Sequence, residues 1–187
     1  TSLPGKIAIR ICPDFLGRLE KPKTIIGVTG TNGKTTVCNI INDILTANKF
    51  DFINNKYGSN IDRGVATTLI QGSTMLGKAK KDLAVLEIDE RSTRKIFPYV
   101  TPTYLVCTNI FRDSLMRHAH TEYISEILSK YIPKETIMIE NADDLISSQI
   151  AETSIWDTKV NGLANIFFIS SIIIWSILWG FIAEKLS

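Results

Sequence analysis

The stretch TIIGVTGTNGKTTVCNIINDIL, residues 24–45, decides the fold. It opens on an apolar, β-branched run at residues 24–28 and passes Gly27, Gly30 and Gly33. It then continues at helical spacing through Val37, Ile40, Ile41, Ile44 and Leu45. Such a run reads as a buried strand that turns through a glycine-rich loop into a helix with one face on a sheet. A loop of this kind brings backbone N–H groups up to an anion, and the helix start adds its own unsatisfied donors. Lys34 supplies a cation, and Thr35 and Thr36 follow it with hydroxyls. The pattern is that of a phosphate-binding loop. Its amides, at Gly30, Thr31, Asn32, Gly33 and the helix start, face the α- and β-phosphates of a nucleotide. Lys34 reaches the β/γ oxygens, and the Thr35 hydroxyl is a ligand for Mg2+. The strict pattern places a glycine where Val28 stands, between Gly27 and Gly30.

Working outward, further strand-like runs occur at residues 50–53, 83–88, 104–107 and 137–139, with helical or loop segments such as 122–128 between them. Strands alternating with helices predict an α/β fold with a doubly wound, mostly parallel sheet, whose ligands gather at the carboxyl ends of the strands. Polar residues cluster at those ends: Glu87, Asp89 and Glu90 after AVL, Asn109 and Asp113 after YLVC, and Asn141, Asp143 and Asp144 after TIMI.

At 187 residues the chain can bury one good core, which favours one main domain with appendages. The charge of +2 is the balance of 21 basic and 19 acidic residues spread along the chain, so nothing points to nucleic acid as a partner. Cys12, Cys38 and Cys107 are isolated, which argues against a disulfide framework and against a zinc site and fits a reducing cytoplasm. Residues 1–22 carry no long apolar core and read as a leader segment, not a secretory signal.

Residues 162–183 run for about 22 positions without a formal charge and include Trp175 and Trp179, enough to cross a bilayer as a helix. The expectation is therefore a domain at 23–152 followed by a divergent apolar tail at 153–187. That tail is either a transmembrane helix or the end of a frameshifted or truncated product.

Glu87 follows an apolar strand beside the phosphate loop, where a carboxylate would hold Mg2+ directly or through water. The blander role, a solvated carboxylate at a strand end, falls to Asp89 or Glu90. Asn60, in a polar loop at residues 55–64, could reach a nucleotide or metal-bound water, or belong to a plain turn. His118 and His120 read as solvated, and residues 141–144 as a helix N-cap.

Taken together, TGTNGKTT, LEIDE, TNIFRD and NADD resemble, in order and spacing, the central ATPase domain of the Mur ligases, and more narrowly the MurT-type ligase subunits of lipid II isoglutaminyl synthases. LPGKIA, at residues 3–8, is similar to the short leader of that group. The resemblance covers residues 3–148. It implies that Lys34 and Thr35 serve the phosphates and Mg2+ of ATP, that Glu87 is a metal carboxylate and that Asn60 lies at the site edge. It also puts Asn109, Asp113 and the NADD segment, Asn141 to Asp144 with Asn141 and Asp143 foremost, in the nucleotide pocket.

The implied chemistry is ATP-dependent activation of the α-carboxylate of D-glutamate in lipid II as an acyl phosphate, attacked by ammonia from a GatD-type glutamine amidotransferase. Three features depart from the family. Ser114 stands where classical Mur ligases carry a metal-binding histidine, and Met116 stands where an acidic residue is usual. The family's four-cysteine zinc ribbon and C-terminal glutaminase-contact domain are not in this sequence. Two other readings remain at this point: a relative of the folylpolyglutamate synthases, and a nucleotide-binding protein without ligase activity, tethered by its tail.

Overall fold

The computed structural model describes residues 2–56, 59–110, 121–141, 144, 146, 150 and 166–169. Its elements in chain order are α1 (Leu3–Ile11), α2 (Phe15–Arg18), β1 (Thr24–Thr29), α3 (Lys34–Ala47), β2 (Phe52–Asn54), α4 (Asp62–Gln71) and β3 (Leu83–Glu87). After a short 3₁₀ turn at Glu90–Ser92 come α5 (Thr93–Ile96), β4 (Tyr104–Cys107), α6 (Thr121–Tyr131), β5 (Ile137–Asn141) and β6 (Ile166–Ile169). The strands form one sheet in the order β2-β3-β1-β4-β5-β6, and every pair of neighbours is parallel. The parallel α/β sheet expected from the alternating pattern is present.

Period-two alternation along β1 explains why helices cover both faces. Ile26 and Val28 point to one side, where they join Val85 and Val106 under Cys38, Ile41 and Leu45 of α3. Ile25 points to the other side and packs with Leu86 and Leu105 against Val65 and Leu69 of α4 and Ile96 of α5. Beyond β4, Ile124 and Leu128, one helical turn apart on α6, close over Cys107 and Met138. A switch in strand order falls at β1, whose neighbours are β3 and β4, so the crevice at its carboxyl end opens where the phosphate loop begins.

Residues 1–22, read above as a leader, contribute α1 and α2 to the covered face. α1 lies against α4 at Gly5, whose N–H donates to Thr67 Oγ1 at 2.9 Å. A Cβ at that glycine would sit 2.1 Å from the Arg63 carbonyl oxygen, so the two helices approach backbone to backbone.

Of the run at residues 162–183, expected as a helix, four residues are described, and these are extended. Ile166–Ile169, reading IFFI, is an extended strand in parallel register with β5, Met138 opposite Ile166 and Asn141 opposite Ile169. An apolar run fits helix and strand equally by hydropathy; here aromatic and β-branched residues pair with the open edge of β5, whose backbone groups need partners. Among the described residues no helix is long and apolar enough to cross a membrane. Trp175 and Trp179 lie outside the described residues.

Candidate phosphate-binding site

The loop between β1 and α3 is built on two glycines with positive φ. At Gly30 φ is +123°, and a Cβ would come within 2.3 Å of Thr108 Oγ1, so both the conformation and the space require glycine. Gly33, at φ +83°, leads directly into α3. The loop is braced by the segment after β4. Thr31 N–H donates to the Asn109 carbonyl oxygen at 2.8 Å. Asn32 N–H donates to Asn109 Oδ1 at 3.0 Å, and the Asn32 carbonyl accepts from Asn109 Nδ2 at 3.1 Å and from Thr108 Oγ1 at 2.7 Å.

Asn109 therefore sits beside the loop as the sequence led one to expect, but its side chain grips Asn32 at both ends. The amides of Thr31 and Asn32 are thereby spent on holding the loop. The donors at the start of α3, at Gly33, Lys34, Thr35 and Thr36, meet no capping side chain and face the end of the loop. Thr108 was not singled out from the sequence, where a threonine after a strand carries no distinguishing signal.

Register explains how Glu87 reaches this loop. Glu87, the last residue of β3, is opposite Val28, just before the turn out of β1. Its Oε2 accepts from Thr35 Oγ1 at 2.9 Å and its Oε1 accepts from Asn60 Nδ2 at 3.1 Å. The fold thus brings together Thr35, Glu87 and Asn60, three residues picked from separate stretches of sequence. Mg2+ takes oxygen ligands at about 2.0–2.1 Å in octahedral geometry, which sets adjacent ligands about 2.9 Å apart. The Thr35 hydroxyl and the Glu87 carboxylate, hydrogen-bonded to each other, offer adjacent oxygen donors of the kind Mg2+ takes. Among the described residues no group of three or more His, Cys, Asp or Glu could hold a metal ion.

The backbone of Glu87 is fixed by a residue the sequence reading passed over. Asn55, buried at the end of β2, accepts from Glu87 N–H through Oδ1 at 2.8 Å and donates through Nδ2 to the Glu87 carbonyl oxygen at 2.8 Å. Asn55→Ala strands both backbone groups, and we expect it to lower stability by about 1–3 kcal/mol, read as a lower urea midpoint at unchanged m-value. Asp89, one of the two carboxylates taken as solvated, accepts through Oδ1 from Arg91 N–H at 3.1 Å and Ser92 N–H at 3.2 Å, which caps the 3₁₀ turn.

Glu90 corrects the expectation of a solvated carboxylate. It is 8% exposed and lies 3.3 Å from Lys34 Nζ. Burial raises its pKa above the usual glutamate value, with Lys34 opposing. Lys34 Nζ also donates to the carbonyl oxygens of Gly30 and, at 3.2 Å, Thr31. The cysteines near the site are inert: burial pushes the Cys38 thiol up to about 12, with Glu87 adding to the effect, and burial raises Cys107 as well.

On the far side of β1, Asn141 ends β5 two strands away, about 10 Å by strand spacing. Buried Asp144 accepts from Ile110 N–H at 2.9 Å and so braces the end of β4. Asp113, Ser114, Met116, His118, His120 and Asp143 lie outside the described residues.

Residues 28–164 match the Mur ligase middle domain family. The chain is 37% identical over 152 residues to the MurT subunit of lipid II isoglutaminyl synthase (glutamine-hydrolysing) from Staphylococcus aureus, covering 80% of this chain and 34% of that protein. It is likewise 37% identical over 149 residues to MurT of Streptococcus pneumoniae, covering 78% of this chain and 33% of that one. The chain thus spans about a third of the length of these curated relatives. Among solved structures, UDP-N-acetylmuramoyl-L-alanyl-D-glutamate–2,6-diaminopimelate ligase superposes with a TM-score of 0.60 at 20% identity, over 85% of this chain and 36% of that one. At that identity the likeness speaks for the fold alone.

Proposed function

Because the chain belongs to the Mur ligase middle domain family, we propose that it is the ATP-binding part of a MurT-type ligase that amidates D-glutamate in lipid II during peptidoglycan synthesis in the cytoplasm, with ammonia from a GatD-type glutamine amidotransferase. The observation that carries this reading is the meeting of Thr35, Glu87 and Lys34 at the carboxyl ends of β1 and β3 in a chain that shares 37% of its aligned residues with MurT.

The chemistry follows from the poor reactivity of a carboxylate. An oxygen of the glutamate α-carboxylate attacks the γ-phosphorus of ATP, ADP leaves, and an acyl phosphate forms. The nitrogen of ammonia then attacks the acyl carbon, phosphate departs, and the amide loses the extra proton to solvent. Mg2+, if held there, would supply positive charge against the phosphate oxygens. Thr35 and Glu87 hold the metal side of the site, and the amides at the start of α3 orient the phosphates. Lys34 offsets the charge that builds on the transferred oxygens.

The test is a calorimetric titration of the chain with ATP in the presence of Mg2+, followed by incubation with lipid II, ammonia and the glutaminase. Saturable ATP binding supports the nucleotide reading, and its absence overturns it. Amidated lipid II supports the ligase assignment. ATP binding by the full-length protein that contains this chain, with no amidation in its complex with the glutaminase, leaves a nucleotide-binding protein of another purpose.

A further inference from the structure

We propose that Glu90 is a positioning residue that acts through Lys34: it is the resting counter-ion of the phosphate-loop lysine, and its grip holds down the affinity of the site for a nucleoside diphosphate or triphosphate. This inference rests on the nucleotide reading above and deepens it.

An ammonium has three N–H donors. In this fold Lys34 Nζ already has three acceptors, the carbonyl oxygens of Gly30 and Thr31 and the Oε2 of Glu90. A phosphate oxygen can take a hydrogen bond from Lys34 only if one of these is given up. The two carbonyls belong to the loop itself and sit where its backbone puts them. The carboxylate carries a charge and is the strongest competitor for the ammonium. It is also fixed in place. Asp89 caps the turn that carries Glu90, and Thr93 Oγ1 donates to the Glu90 carbonyl oxygen at 2.6 Å.

Both side chains of the pair are largely withdrawn from water, at 13% exposure for Lys34 and 11% for Glu90. When a β- or γ-phosphate draws the lysine away, Glu90 is left in a poorly solvated position beside a polyanion, which costs affinity. The raised pKa of Glu90 agrees with that poor solvation. The two carboxylates after β3 thus have separate tasks. Glu87 meets Thr35 on the metal side, and Glu90 meets Lys34. A ligase must release ADP after each transfer, and a counter-ion that reclaims the lysine promotes that release.

The experiment measures the affinity of the whole chain for ADP with Mg2+, and for AMP, by calorimetry in wild type, Glu90→Gln and Glu90→Asp. Glutamine has nearly the same shape but carries no charge. Aspartate keeps the charge and is one methylene too short to hold the contact. Both variants should bind ADP at least threefold more tightly than wild type. AMP has no β-phosphate for Lys34 to reach, so its affinity should stay the same in all three.

ADP affinity that is unchanged or weaker in folded Glu90→Gln overturns the proposal. So does a Glu90→Asp variant that matches wild type while Glu90→Gln tightens, because the effect would then come from charge at a distance and not from contact. Near-ultraviolet circular dichroism reports folding, and if one variant unfolds the other decides. Wild-type protein that binds no nucleotide overturns the nucleotide reading and this inference together, whereas wild-type binding left unaltered by both substitutions removes this inference alone.

Discussion

Lys34→Ala lowers the affinity for ATP with Mg2+ at least tenfold, about 1.4 kcal/mol, in a calorimetric titration. Lys34 is the one cation that the described structure brings to the phosphate loop by direct contact, held by Gly30, Thr31 and Glu90. A unit charge about 4 Å from another is worth about 4 kcal/mol at an effective dielectric of 20, and part of that is returned by releasing Lys34 from Glu90. A tenfold loss is therefore a conservative floor. The substitution also leaves Glu90 buried without its counter-ion, so the thermal midpoint should fall, and the titration belongs well below that midpoint. Equal affinity in the variant and the wild type would sink the assignment of the loop.

The second large effect is a change of sign. With saturating Mg2+, Glu87→Ala weakens ATP binding about tenfold or more, because a metal ligand is lost. With the metal chelated, the same variant binds ATP more tightly than wild type, since a carboxylate has been removed from beside a polyphosphate. Both follow from one geometry, the Glu87 oxygens placed on Thr35 and Asn60 at the rim of the loop. A carboxylate that only stabilised the fold would give the same change with and without the metal. Parallel titrations in Mg2+ and in chelator separate the two cases, and affinities that shift equally in both conditions falsify the metal role.

The phosphate loop was legible in the sequence because everything that defines it is local. The glycines at positions 30 and 33, Lys34 and Thr35 follow one another, and the apolar periods on either side switch from strand to helix. Glu87 was legible for a related reason: an apolar run that ends in a carboxylate, in a chain of alternating strands and helices, puts that carboxylate at the edge where parallel sheets bind ligands. Glu90 was not. It is three positions from Glu87 in a run with three acidic residues, and the structure places its side chain against Lys34 in the turn capped by Asp89. Asn55 and Thr108 were equally silent, since a polar residue after a strand looks the same whether it braces a neighbour or faces water.

The tail draws the line between the two levels most sharply. Hydropathy marks residues 162–183 as a run of about 22 positions without formal charge, of the kind expected to leave water. It could not establish the host. The structure assigns Ile166–Ile169 to the edge of a sheet, in parallel register with β5. The sequence by itself determined the strand-loop-helix unit and the alternation that makes a parallel sheet, and it singled out Lys34, Thr35 and Glu87 at the ends of those elements. Those depend on neighbours within one or two turns of the chain. Only the tertiary structure decided which carboxylate meets Thr35, which one meets Lys34 and which strand extends the sheet beyond β5. Each of these is a contact between residues far apart in sequence, fixed by strand order and register, and no local pattern records it.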